Sequence, residues 1–381
     1  MFKRKTPRVI IDDSSSPFTL QPLSQQPGIP LKKNWFKRHK KLAIILIVVG
    51  VLLIGGGTSA YFLLQPKKEA PVAQAPKPEP TAPEPVKYYS PLTGNEVTSE
   101  ATTKQAVTGI MIENSPDARP QSGLKDSGVV FEAIAEGGIT RFLVVYQEQK
   151  PQLVGPVRSV RMYYVDWVAA FNASVAHVGG SAAALKEVRN GSYRDIDQFF
   201  NSGSYWRASD RSAPHNVYTS FAKIDELNAK KGFTSSTFTG FPRKDSIATS
   251  TPTATKINVT VSSASYNSSY VYNATTNTYD RSVGGKVRID RESGQISPRV
   301  VVAMRVTQST VFEDGYRESI NAVGYGQAYI FQDGSVQEVS WSKPSKTAQI
   351  SFKDASGQEV SLARGQTWIT AVPNGKAVTW Q

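Results

Sequence analysis

The chain has 381 residues, no cysteine and a formal net charge of +13. Without cysteine, disulfides, thiol catalysis, cysteine metal sites and a diacylglyceryl-cysteine anchor are excluded within these residues. The charge would suit a nucleic-acid partner, but its placement argues for none: residues 1–41 hold ten Lys/Arg against two Asp, whereas residues 88–381 hold 30 basic against 26 acidic side chains.

Residues 1–31 lack apolar periodicity and carry Ser14-Ser15-Ser16, Gln25-Gln26 and several prolines, the composition of a disordered tail. Residues 32–41 form a basic collar with Trp35, and residues 42–64 then run for 23 positions without a charge. At about 1.5 Å per residue this run spans the roughly 30 Å hydrocarbon core of a bilayer, so one transmembrane helix is expected. By the positive-inside rule the collar keeps residues 1–41 in the cytoplasm and puts everything after residue 64 outside the cell membrane. Ala73-Gln74-Ala75 resembles a signal-peptidase site, yet the apolar run is longer than a signal peptide's and Pro76 follows directly. The segment therefore reads as an uncleaved signal anchor. Residues 65–87 are Pro-rich and read as a semi-rigid stalk.

From residue 88 to 242, strand-like and helix-like runs alternate. Apolar β-type runs fall at residues 109–112, twice within 129–147, and at 173–178, and helical signatures cover 161–171, 182–189 and 221–231. This is an α/β pattern. Residues 243–256 are a Ser/Thr-rich linker. From 257 to 381 strand signals recur between turns at 273–277, 292–294, 313–315, 332–334 and 355–357, which predicts a mostly antiparallel β-sandwich or barrel.

Four constellations carry charge or catalytic residue types. Gly137-Gly138 joins two β runs as a tight hairpin, and period-two alternation predicts Glu132, Glu136 and Arg141 on one face. Arg158 and Arg161 stand where a strand leads into a helix; arginine at a helix start opposes the macrodipole unless an anion is near. Gly179-Gly180-Ser181 forms a turn before a helix capped by Ser181, where free backbone N–H groups could hold an anion. The fourth stretch, residues 205–219, holds Arg207, Arg211, His215 and Asn216. His177 and His215 are the histidines outside the collar and could act as general acid or base with Glu132 or Glu136. Two histidines with a carboxylate could hold a metal, but no spacing supports it, and no cofactor is expected.

These residues also carry a resemblance. Tyr89-Ser90-Pro91-Leu92-Thr93-Gly94, the stretch from Ile112 through Asn114, Pro116 and Arg119 to Leu124, Glu136-Gly137-Gly138-Ile139-Thr140-Arg141-Phe142, Gly155-Pro156-Val157-Arg158-Ser159-Val160-Arg161, His177-Val178-Gly179-Gly180-Ser181 and Pro214-His215-Asn216-Val217-Tyr218-Thr219 together resemble the YerB-like family. That family consists of bacterial envelope proteins with a two-part domain of unknown function. The resemblance covers roughly residues 88–381 and implies an α/β part followed by a β part. Many relatives look like lipoproteins, so this chain departs in its anchor.

The reading that follows is a membrane-anchored extracytoplasmic protein, binding an anionic cell-wall component or a wall-synthesis partner. Arg141, Arg158, Arg161, Arg207 and Arg211 would hold the ligand's charge, Gly179-Gly180-Ser181 would add donors, and His215 with Asn216 would orient it. Trp341 and Trp368 read as core residues of the β part, with a ligand-facing wall as the other option. The alternative is a hydrolase or lyase on cell-wall polymer using Glu136 with His177 or His215. No oligomeric state follows from the sequence.

Overall fold

The computed structural model describes residues 44–45, 48–50, 85–311 and 317–381. The expected cytoplasmic tail, most of the 42–64 span and of the stalk, and the expected turn at 313–315 lie outside the described residues. Among the described residues no helix is long and apolar enough to cross a membrane.

Residues 84–381 form one compact unit built on a sheet of twelve strands. In chain order its strands are β1 (Thr108–Glu113), β2 (Val129–Glu136), β3 (Ile139–Tyr146), β4 (Ser174–Ala176), β5 (Arg194–Asp195), β6 (Val300–Val306), β7 (Gln308–Val311), β8 (Arg317–Ile320), β9 (Gly324–Gln332), β10 (Ser335–Lys343), β11 (Ser351–Lys353) and β12 (Thr367–Pro373). The path across it is β11-β10-β9-β6-β12-β2-β3-β1-β4-β5, with β7 and β8 paired at the side of β2. Strands β6, β12 and β2 run parallel, and β2, β3 and β1 antiparallel. Long apolar runs explain the central places: β2 and β12 are buried on both faces, so each needs neighbours on both edges and a cover above and below.

The strands after residue 257 therefore do not close on themselves as the expected sandwich or barrel. An antiparallel sheet of five strands stands apart, made of Lys256–Val259, Ser268–Asn273, Thr278–Val283, Lys286–Val287 and Val378–Trp380. Ile289–Asp290 pairs with Gly294–Gln295 and Leu362–Ala363 with Arg243–Lys244 as small two-stranded sheets, and the remaining described strands complete the large mixed sheet, because β12 is too apolar to lie at an exposed edge.

Side-chain alternation separates two cores. Phe131, Ala133, Leu143 and Val145 point to one face, where helix α1 (Met162–Val168) brings Tyr163, Tyr164, Trp167 and Val168, and α2 (Ala182–Val188) brings Ala184 and Val188. Val130, Phe142 and Val144 point to the other, covered by α3 (Phe221–Lys230) and the five-stranded sheet. The three expected helices are present, with α1 extended by a 3-10 turn at Ala169–Phe171 and stopped by Asn172 in the left-handed region, φ 49°. Among the described residues, none of the helices follows Lys230.

Gly109 lets α1 settle on the sheet. A Cβ there would lie 2.6 Å from Val168 Cγ2 and 2.9 Å from Leu143 Cδ1. Gly109→Ala should destabilise the chain by about 1–3 kcal/mol through overpacking, read as a lower urea midpoint; an unchanged midpoint would mean that α1 is free to shift.

The Gly137-Gly138 hairpin forms as expected, with Glu136 opposite Ile139 and both glycines at positive φ. A bulge between Ile134 and Glu136 shifts the register, so Arg141 lies opposite Ala133. A one-residue insertion moves every later side chain to the other face. Glu132 consequently stays on the face of Phe142, while Glu136 crosses to the face of Arg141. The expected single face holding Glu132, Glu136 and Arg141 is replaced by two separate ion pairs.

Candidate functional site

Two loops make the main polar cleft. The first leaves the end of β1 as residues 114–124. Asn114 is buried and organises it: Oδ1 accepts from Arg119 Nε at 3.1 Å and Gln121 Nε2 at 3.0 Å, while Nδ2 donates to Thr140 Oγ1 at 2.7 Å. Arg119 then donates through both terminal nitrogens to Ser265 O at 3.2 Å and lies over the Tyr266 ring. A side chain from residues before 242 is thus fixed by backbone beyond 257. Burial pulls the Arg119 guanidinium below its ordinary pKa.

The second loop, residues 207–216, is closed by Asn216. Its Nδ2 donates to Ala208 O at 3.3 Å and Arg211 O at 3.2 Å, and its Oδ1 accepts from Arg207 Nη1 at 2.7 Å. Arg211 ties the loops together by donating to Asp117 O and Pro120 O. From the far side Arg291 donates its backbone N–H to Gln121 O at 2.8 Å and its guanidinium to Asp210. That charge-assisted bond holds the exposed Asp210 carboxyl below its ordinary range and raises Arg291. Arg119, Arg211, His215 and Arg291 line the resulting cleft of about 720 Å³, with Asp117 and Asp210 among its other walls.

Beneath His215 lies Glu113, the last residue of β1. His215 Nδ1 is 2.9 Å from Glu113 Oε2 and 3.3 Å from Ser115 Oγ. Arg158 Nε is 3.2 Å from the same Glu113 oxygen. Two expected site residues, His215 and Arg158, are therefore joined by a buried carboxylate. The geometry can orient the imidazole and keep a cation beside it.

The remaining expected residues go elsewhere. Glu132 is fully buried and accepts from Arg281 Nη2 at 2.8 Å and Trp368 Nε1 at 3.0 Å. Glu136 accepts from Arg141 Nη2 at 2.8 Å and from Arg161 at 2.6 and 3.0 Å. Arg161 does stand just before α1, and the anion that offsets the helix dipole is Glu136 itself. His177 is fully buried, with Nδ1 2.8 Å from Gly179 O and Nε2 3.0 Å from Asp195 Oδ1. Gly179 N already donates to Asp197 Oδ1 and Ser181 N to Val160 O, and the Ser181 hydroxyl caps α2. The turn spends these Gly179 and Ser181 donors internally, so they are not free for an anion. Glu136, His177 and His215 thus sit in three hydrogen-bonded sets that share no member, and neither histidine is bonded to Glu136. Trp341 and Trp368 are both buried, and their indole N–H groups bond Arg305 O and Glu132.

Glu113, Ser115, Arg119 and Arg291 are the residues that sequence reasoning missed. Glu113 had a signal, a lone carboxylate closing the apolar run 109–112 just before a Pro-rich turn. Arg291 had none, since it stands just before the turn expected at 292–294, where only a connection between strands was expected.

Residues 92–234 match the N-terminal domain, and residues 257–369 the C-terminal domain, of the protein of unknown function DUF3048. The chain is 33% identical over 294 residues to "Putative lipoprotein YerB" of Bacillus subtilis (strain 168), covering 76% of this chain and 87% of that one. A crystal structure of the YerB protein from Bacillus subtilis superposes with a TM-score of 0.68 at 30% identity, over 77% of this chain and 100% of that one. With both halves matched in order and the fold shared, the chain belongs to the two-part DUF3048 family of YerB-like proteins.

Proposed function

We propose that the chain is an extracytoplasmic protein, held to the bacterial membrane by residues 42–64, whose cleft binds an anionic cell-wall component. The observation that carries this is the cleft itself: three guanidinium groups and His215 converge on about 720 Å³ of open space. Arginine forks match carboxylate and phosphate oxygens in pairs, which a surface scatter of lysines would not do. The Bacillus subtilis relative is named as a lipoprotein, which supports a place at the outer surface of the membrane. This chain has no cysteine to carry an acyl group, so the apolar segment takes that part.

The test is pull-down of solubilised wall fragments by the full chain in detergent. Arg291→Ala should weaken capture about tenfold, since a charge-assisted hydrogen bond contributes roughly 1.5–3 kcal/mol. Capture unchanged by Arg291→Ala and by Arg211→Ala would overturn the reading. New digestion products that vanish with Glu136→Gln under conditions where that variant stays folded would instead favour a hydrolase.

A further inference from the structure

We infer that the ligand is a linear polymer, its units joined by phosphodiesters and bearing hydroxyls, lying in a furrow that extends the cleft across the five-stranded sheet. This rests on the proposed anion-binding role of the cleft and goes beyond it in naming the ligand's class and path.

The cleft does not end at Arg119. Arg119 and Pro120 also line a second cleft of about 470 Å³, whose other cations are Lys286 and Arg288. The two together present five cations and two carboxylates, and both carboxylates lie in the first. The second has no counter-charge of its own. Arg288 makes the imbalance plain: its buried Nε has no partner among the described residues. Burial first, then the nearby Arg119 and Arg281, lower its pKa to about 10. An incoming anion would relieve that crowding of like charge.

Charge alone would fit any polyanion, and the walls narrow the choice. Val287 and Ile289, 63% and 45% exposed, stand beside the cations of the second cleft and give aliphatic surface for carbon–hydrogen contacts. Ser265 and Gly284 are shared with a third cleft of about 500 Å³, which carries Asn258, Thr260, Asn267 and Ser269 and no charged side chain. A path of guanidinium groups followed by aliphatic and then hydroxyl and amide surface suits a chain in which phosphates alternate with polyol units. A single small anion would use only the first cleft.

The experiment measures binding of glycerol 3-phosphate and of poly(glycerol phosphate) to the full chain in detergent at physiological salt. Bridging two clefts should raise affinity about 100-fold or more from monomer to polymer. Lys286→Ala, at an exposed side chain of the second cleft, should remove about tenfold of the polymer's affinity and leave the monomer's unchanged. Lys230→Ala, outside the furrow, should change neither. Equal affinity for monomer and polymer, or a Lys286→Ala effect no larger than that of Lys230→Ala, would overturn the inference and leave the anion-binding cleft standing. Tighter binding of polygalacturonate than of the phosphodiester polymer would overturn the phosphodiester assignment. Binding of none of the three would overturn the inference and the proposed function together.

Discussion

Arg281→Met should destabilise the chain by about 3–5 kcal/mol, the cost of leaving a buried charge without its partner. Arg281 is 1% exposed and donates to Glu132 Oε2 at 2.8 Å, with its guanidinium 4.2 Å above the Trp368 ring. Burial opposes the Arg281 charge, yet Glu132 and Tyr270 together outweigh it and raise the pKa. Methionine keeps most of the volume and none of the charge. Glu132 would retain its bonds from Trp368 and Thr140 but lose its only described ion-pair partner. Replacing both, Glu132→Leu with Arg281→Met, should recover much of the loss, because two apolar groups leave no charge stranded. Urea unfolding followed by tryptophan fluorescence checks both variants. A single variant within 1 kcal/mol of the parent, or a double variant worse than the single, would show that the pair is not what holds these layers together.

The same pair explains why the sequence misleads at this point. Glu132 in an apolar run looks like a functional carboxylate, since its partner is 149 positions away and sits in a strand whose alternation, Tyr279-Asp280-Arg281, reads as ordinary surface. Local patterning was sufficient for α1, α2, α3 and the Gly137-Gly138 hairpin, because capping serines, Asn172 and a two-glycine turn act within a few residues. It was insufficient for sheet order. Whether β12 pairs with β6 and β2 or with its sequence neighbours depends on packing that only the folded chain displays. The bulge before Glu136 is the smallest such failure with the largest consequence, because it reassigns which carboxylate meets which arginine. In the cleft, Arg211, His215 and Asn216 were legible as a polar cluster, whereas Glu113 meets His215 and Arg291 meets Asp210 only after distant segments are brought side by side.

Glu136→Gln should cost about 2–4 kcal/mol at neutral pH, less than a fully buried pair because the carboxylate keeps some contact with solvent. Its side chain is 19% exposed, while Arg141 and Arg161 are 2% and 5%. Glutamine can still accept from one arginine, but the two guanidinium groups then face each other without an anion. Burial alone would push the Glu136 carboxyl up; Arg141 and Arg161 outweigh it and hold the group below its ordinary value of 4.5. A carboxylate whose folded pKa is depressed contributes its stability in full above the unfolded value and loses it as pH falls through the folded one. The gap between parent and Glu136→Gln should therefore be constant near pH 7 and shrink below about pH 4.5. A gap that widens on acidification would mean that Glu136 gains a proton on folding. That outcome would also restore it as a general acid, a task that requires a raised pKa. With two arginines fixing it as an anion, Glu136 has no proton to donate near neutrality, and its work is to hold α1 against the β2–β3 hairpin.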